Sequence, residues 1–153
     1  MRKATLCFLV KGDKVLLAMK KRGFGKGLWN GVGGKKTNGE TIRQAAIRET
    51  EEDIAVVPIR LHKIADLRFL FPHKTEWSQN VVAYIVDSWK GEPRESEEMM
   101  PKWFNKNTLP FKHMWWDDHL WLPQVLQGKK LKAKFIFNAN NEVVSHAVSV
   151  FEI

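Results

Sequence analysis

Two apolar runs open the chain, Ala4–Lys11 and Lys14–Lys20, and the Gly12–Asp13 pair between them predicts a β-hairpin. After Lys20 the pattern changes. Apolar periodicity disappears from Lys21 to Gly39, where Gly23, Gly25, Gly27, Gly31, Gly33, Gly34 and Gly39 alternate with Lys21, Lys26, Lys35 and Lys36. Such a stretch predicts a positively charged loop with a permissive backbone. Behind Thr41, the positions Ile42, Ala45, Ala46 and Glu49 return at helical spacing and predict a helix from Ile42 to about Asp53. Pro58 is expected to set the next boundary. Strands are expected over Ile59–Phe71, Trp77–Asp87 and Lys102–Phe104, then a helix over Asp117–Gln127. Two last strands, Lys132–Asn138 and Val143–Phe151, are expected to turn at Asn140–Asn141. No repeat, low-complexity tract or long linker divides the chain. The expected architecture is α+β, a mixed β-sheet with at least two helices in one domain over residues 1–153.

Composition narrows the class. An apolar share of 44% excludes disordered and collagen-like chains. Apolar stretches such as Thr5–Val10 and Val81–Val86 fall far short of the roughly 18 residues a membrane span needs. Lys11, Asp13 and Lys14 interrupt any leader-like run. The one cysteine, Cys7, permits no internal disulfide, so a reducing, cytoplasmic setting is expected. The formal net charge of +8 points to an anionic partner. Seven Trp against one Tyr supply flat faces suited to a nucleobase, although a given Trp more often simply packs.

Chemistry becomes visible in Arg48-Glu49-Thr50-Glu51-Glu52-Asp53. Positions i, i+3 and i+4 share a helix face, so Glu49, Glu52 and Asp53 are expected together, with Glu51 turned to solvent. Like charges at this spacing repel. Either the face is simply solvated, or it awaits a hard divalent cation such as Mg²⁺ or Mn²⁺, which prefers carboxylate oxygens. The segment Gly31-Val32-Gly33-Gly34-Lys35-Lys36 leads directly into this helix. Glycine lets backbone approach an anion closely and lysine neutralises it.

Gly34, Glu40, Arg48-Glu49 and Glu52-Asp53 fall at a spacing that resembles the Nudix box, G-x5-E-x7-R-E-U-x-E-E-x-G-U, where U is bulky and apolar. The resemblance implies a Nudix fold, with the sheet sandwiched by helices and a loop-helix-loop holding divalent metal on a diphosphate-containing substrate. It implies that Glu49, Glu52 and Asp53 ligate Mg²⁺ (Mn²⁺ in its place), with the Gly33 carbonyl beside them. Arg48 would pair with Glu40 and hold the ligand helix in place. The expected products are a nucleoside monophosphate and pyrophosphate. Three positions depart from the pattern. Thr50 stands where a bulky apolar residue belongs, so packing beneath the helix should be poorer. Asp53 replaces a glutamate and reaches roughly 1 Å less far, which matters at metal-ligand distances. Ala55 replaces glycine, at a cost of about 1 kcal/mol if that residue is left-handed. An active enzyme, slower or metal-selective, is expected.

Beyond the box, Met19–Gly25, Gly27–Gly31 and Leu109–Asp118 are similar to the Nudix subgroup that hydrolyses oxidised purine nucleoside triphosphates, of the 8-oxo-dGTP and 2-hydroxy-dATP type. That resemblance implies that Asn30, Asp117 and Asp118 hydrogen-bond the base and that Thr5 floors the pocket. Phe24, Phe69, Trp115 and Trp121 would wall it. Lys20, Gly33 and Gly34 would lie near the phosphates, Glu98 would join the metal site, and Gln79 would stand where the subgroup carries methionine. Each has a plainer alternative. Asp117-Asp118 could cap a helix, Trp115 could be core, and Glu98 could belong to a solvated acidic run, Glu95-Ser96-Glu97-Glu98. Two other functions remain open: a Nudix enzyme acting on a different nucleoside diphosphate derivative, or a catalytically weak nucleotide- or RNA-binding protein. A monomer with a small-molecule substrate is expected, with neither membrane nor nucleic acid as partner.

Overall fold

The computed structural model describes residues 1–151, so Glu152 and Ile153, the end of the expected 1–153 domain, lie outside the described residues. In chain order the elements are β1 (Arg2–Lys11), β2 (Lys14–Lys20), β3 (Trp29–Asn30), α1 (Ile42–Ile54), β4 (Val57–Leu70), β5 (Gln79–Lys90), β6 (Met99–Asn105), α2 (Asp118–Leu126), β7 (Lys130–Phe137) and β8 (Val143–Phe151). Single 3₁₀ turns occupy Thr75–Trp77 and Phe111–His113. The strands run in the order β3-β2-β1-β5-β4-β7-β8, with β6 paired to β2. β1 pairs parallel with β5, and β4 parallel with β7; the other pairings are antiparallel, so the sheet is mixed.

β1 explains how the layers meet. Successive side chains of a strand point to opposite faces, and here both faces are covered. Cys7 and Leu9 join Ala46 and Ile54 of α1 in one core, with Val82, Tyr84 and Val86 of β5. Ala4 and Phe8 face the other way, into a second core with Trp121, Leu122 and Val125 of α2 and with Leu67 and Phe135. Each fully buried side chain of this size contributes about 1.5–3 kcal/mol. The Cys7 thiol is fully buried, and burial pushes its pKa up to about 12. It is therefore not a nucleophile.

α1 begins at a reciprocal cap. The Thr41 hydroxyl accepts from the Gln44 amide at 3.1 Å, and the Gln44 side chain accepts from the Thr41 amide at 2.8 Å; such a cap contributes about 1 kcal/mol. The helix ends at Ala55, whose φ of 60° and ψ of 30° are left-handed, so the strain foreseen for a non-glycine residue is present. Thr50 is fully buried beneath the helix, and its hydroxyl donates to the Ala46 carbonyl at 2.8 Å, so its polar atom is satisfied.

Four expectations shift. Pro58 lies inside β4, opposite Trp89 and beside a register irregularity, rather than at a boundary. β7 pairs only with residues 65–70 of β4, so at Pro58 that strand has a free edge and the missing N–H goes unneeded. Trp77 lies in a 3₁₀ turn and β5 begins at Gln79. β6 is longer than expected, Met99–Asn105, because seven residue pairs join it to β2. β3, unforeseen within the glycine-rich loop, is only two residues long. The closing turn does lie at Asn140–Asn141, where Asn141 is left-handed and the Asn138 side chain accepts from the amides of Asn140 and Glu142. Among the described residues, no helix is long and apolar enough to cross a membrane.

Candidate active site

α1 presents Arg48 to three carboxylates at once. Its Nε and Nη2 donate to Glu40 at 3.0 and 2.8 Å, and its Nη1 donates to Glu49 at 3.0 Å and Glu52 at 3.2 Å. The bidentate geometry holds the loop before the helix against the helix itself. Arg48, together with the Thr37 amide at 2.8 Å, holds the Glu40 carboxyl down to about 2. The guanidinium is in turn driven further into its charged form, chiefly by Glu40.

Asp53 sits apart from that network. It is buried, and its Oδ2 accepts from the Gly33 amide at 3.3 Å. Burial and then the Glu49 charge push its carboxyl up to about 7, with Glu98 and Glu52 adding to the repulsion. Glu49 is shifted upward as well, first by burial. Glu51 is exposed, as helical geometry requires.

The glycines of the preceding loop are dictated by what touches them. A Cβ at Gly33 would fall 1.9 Å from the Thr5 carbonyl oxygen, and one at Gly34 would fall 2.5 Å from the Glu49 carboxyl group. The loop is stitched to β1 by the Thr5 amide donating to the Gly34 carbonyl at 2.9 Å and the Cys7 amide donating to Val32 at 2.6 Å. The Thr5 hydroxyl also lies against Gly34, 3.4 Å from its carbonyl oxygen. It thus shares the α1 face of β1 with Cys7, opposite Phe8.

The donor set suits a hard divalent ion: carboxylates only, mutually repelling, beside glycines that leave room. Among the described residues, however, no three Asp, Glu, His or Cys side chains stand together in an arrangement able to hold a metal. The reason is visible. Arg48 keeps Glu49 and Glu52 in ion pairs, Asp53 turns to the Gly33 amide, and Glu98 pairs with Arg22 at 3.3 Å. Arg22, which the sequence did not single out, also reaches Glu97 at 3.6 Å.

On the other side of the sheet, Asp117 and Asp118 are both buried. Asp117 stands at the start of α2 but makes no side-chain capping bond, so the capping alternative does not hold. Its Oδ2 accepts from the indole N–H of Trp121 at 3.2 Å. The Asp118 Oδ2 is buried without a partner among the described residues. Burial raises both pKa values, and the Asp117 charge raises Asp118 further.

Aromatic residues gather at this end. Trp121 is fully buried and meets Phe8 edge-on at 5.9 Å. Trp115 is half-buried and lies 5.0 Å from exposed Phe24, and Phe24 in turn approaches Trp77 at 6.5 Å. Phe69 is half-buried and stacks on Phe135 at 5.5 Å. Trp77, which the chain pattern assigned to a strand, joins this aromatic group; only the surplus of tryptophans pointed to it. Asn30 turns its side-chain oxygen to the Gly31 amide at 2.8 Å. Lys20, at the end of β2, makes no ion pair among the described residues, and Gln79 opens β5 opposite Phe69 and Arg2.

A glycine loop stitched to the sheet, a helix carrying Arg48 and four acids, and this strand order define a known class. The chain matches the NUDIX domain family over residues 1–125 and belongs to it. It is 45% identical over 148 residues to the zebrafish (Danio rerio) oxidized purine nucleoside triphosphate hydrolase, covering 97% of this chain and 94% of that one. It is 41% identical over 144 residues to the mouse (Mus musculus) protein of the same name, covering 94% and 92%. The fold matches the crystal structure of the mutator MutT protein from Bacillus halodurans at a TM-score of 0.83, with 22% identity over 97% of this chain and 98% of that one.

Proposed function

We propose that this protein is a metal-dependent pyrophosphohydrolase that converts oxidised or otherwise modified purine nucleoside triphosphates, of the 8-oxo-dGTP and 2-hydroxy-dATP type, into monophosphate and pyrophosphate. The activity would clear damaged nucleotides from the precursor pool. The observation that carries the substrate class is the buried Asp117–Asp118 pair, with an unpartnered Asp118 oxygen beside aromatic walls. A carboxylate accepts from a purine N–H, and a protonated one donates to a carbonyl or ring nitrogen. A pair sharing one proton therefore presents both polarities, and moving the proton between Asp117 and Asp118 matches bases with different hydrogen-bonding edges. Asn30 and Gln79 complete the rim, while Thr5 lies on the α1 face against Gly34, toward the phosphate end. Phe24, Trp115, Trp121 and Phe69 supply the apolar surround.

At the phosphate end, Glu49, Glu52 and Asp53, with the Gly33 carbonyl and Glu98, would hold Mg²⁺, or Mn²⁺ in its place. Bound there, the metal supplies charge neutralisation at phosphate oxygens and an acidified water. Arg48 holds the carboxylates of α1 in position until they are needed and, through Glu40, anchors the loop. Lys20 and the amides of Gly33 and Gly34 would orient the phosphate chain. Buried, reduced Cys7 fits a cytoplasmic setting, and one chain carries every proposed residue, as a working monomer requires.

The test is pyrophosphate release with Mg²⁺ across 8-oxo-dGTP, 2-hydroxy-dATP, dGTP and ADP-ribose. Preference for the oxidised triphosphates over dGTP is expected. Preference for ADP-ribose would replace this substrate class with a nucleoside diphosphate derivative, and silence across the panel with either metal would replace the enzyme with a binding protein.

A further inference from the structure

The sheet carries a second concentration of charge, of opposite sign and outside the proposed site. Adjacent strands place Lys3, Asn80, Arg68, Lys134 and Ala147 in one row of paired positions across β1, β5, β4, β7 and β8. The next row is Thr5, Val82, Asp66, Lys132 and Ser149. Paired positions share a face, with strands about 4.8 Å apart. This is the α1 face, but α1 lies over β1 and the first half of β4, where Arg43 donates to the Leu61 carbonyl at 3.3 Å. The second half is open, and a depression of about 410 Å³ is lined there by Asp66, Arg68, Asn80, Lys132, Lys134 and Ser149, with alanines between.

Arg68, Lys132 and Lys134 are exposed and make no ion pair among the described residues. Arg68 stands directly opposite Lys134, and Lys132 lies two residues along the same strand, so three like charges crowd one face. Directly opposed like charges destabilise a sheet. The lone acid lining the depression, Asp66, is already engaged by Lys63 at 3.3 Å and the Asn80 amide at 3.1 Å. Ala147 and Ser149 give the floor small side chains that do not obstruct an incoming group. The row continues toward the box, since the Lys36 amide donates to the Lys3 carbonyl at 2.9 Å and places Lys35 and Lys36 at the far side of β1.

We propose that this open face is a binding site for phosphate polyanions, separate from the box, with Arg68, Lys132 and Lys134 as its cations. The depression has the size of a small-ligand site, and its lining holds no aromatic residue, so recognition is of phosphate rather than base. The phosphates can arrive as a compact free polyphosphate or along a nucleic-acid strand.

Both sources are tested without turnover, in EDTA, so that metal-dependent binding at the box does not contribute. Inorganic tripolyphosphate is titrated calorimetrically, and a labelled oligodeoxythymidylate by fluorescence anisotropy over a salt series. Replacing Arg68, Lys132 and Lys134 together by Gln is expected to weaken binding about tenfold or more and to flatten the salt slope by about 2 for a single strand. A charge-matched control replaces exposed Lys11, at the far end of β1, Lys14 of β2 and Lys102 of β6 by Gln, all outside the lining of the depression, and is expected to bind as wild type. Loss for tripolyphosphate identifies a compact-anion site; loss for the oligonucleotide alone identifies a strand site. Undiminished binding of both probes by the sheet-face variant, or equal loss in the control, overturns the proposal. Thermal midpoints in low salt report folding, and relief of repulsion predicts that the sheet-face variant melts no lower than wild type.

Discussion

The box on α1 and the start of α2 both concentrate carboxylates, but in opposite media. At the box, Glu40, Glu49 and Glu52 share one guanidinium, and the Glu52 side chain is 59% exposed. Charge there is balanced by charge, and exposed Glu52 can exchange Arg48 for another cation at modest cost. At α2, Asp117 and Asp118 have no cation, only the Trp121 indole and each other's proximity, and both are almost fully removed from water. Burial there raises both carboxyl pKa values and so disfavours charge. The phosphate end is therefore built to accept variable positive charge, and the base end to distinguish the placement of one hydrogen.

The comparison can be broken most violently at the box. Glu49→Gln removes a proposed ligand while keeping shape, and kcat for pyrophosphate release is expected to fall roughly 100-fold or more. Its thermal midpoint should stay near wild type, because Arg48 keeps Glu40 and Glu52. A smaller effect is expected at α2: Asp117→Asn should lower kcat/KM on 8-oxo-dGTP about 10- to 100-fold, the scale of one lost bidentate base contact. Unchanged efficiency would remove Asp117 from base recognition.

Stability against pH separates Asp118 from Glu40 by sign, while buried Asp53 at the box shifts in the same direction as Asp118. The raised pKa of Asp118 means its contribution is complete below the ordinary carboxylate range and is lost as pH rises through the folded-state value. Wild type should therefore lose thermal stability toward alkaline pH, and Asp118→Asn should lose less. Glu40 behaves oppositely, contributing above the ordinary range and losing that contribution as pH falls toward about 2. Glu40→Gln should remove part of the acid-side decline and leave the alkaline side unchanged. Smallest of all, Ala55→Gly relieves the left-handed C-cap and should raise stability by about 0.5–1 kcal/mol, a shift in Tm of a few degrees, without altering turnover.

The box was legible because its chemistry is local: the motif pairs Arg48 with Glu40, and helical spacing puts Glu52 one turn from Arg48. The helices and most strands were legible for the same reason. Contacts between distant segments were not. Nothing near Pro58 in the chain reveals that β4 lacks a neighbour there, and two residues of β3 are too few to show a period. Asp117-Asp118 reads equally well as a cap, because burial is decided by β1, through Phe8, and by the approach of Trp121. The Gly34 contact shows the intermediate case. The motif marks the glycine, but only the fold shows that the Glu49 carboxyl fills the space a side chain would need.

The left-handed Ala55 has a consequence on a longer timescale. Every alanine codon lies one nucleotide from a glycine codon, so the strain at this cap is a latent gain that a single point mutation releases. In a lineage burdened by a damaging core substitution, reversion at the damaged position is then not the only one-step path to recovery. A change at Ala55 would restore about 1 kcal/mol from outside both reactive regions. Random mutagenesis of a destabilised variant, selected for regained solubility, should return the Ala55→Gly substitution repeatedly.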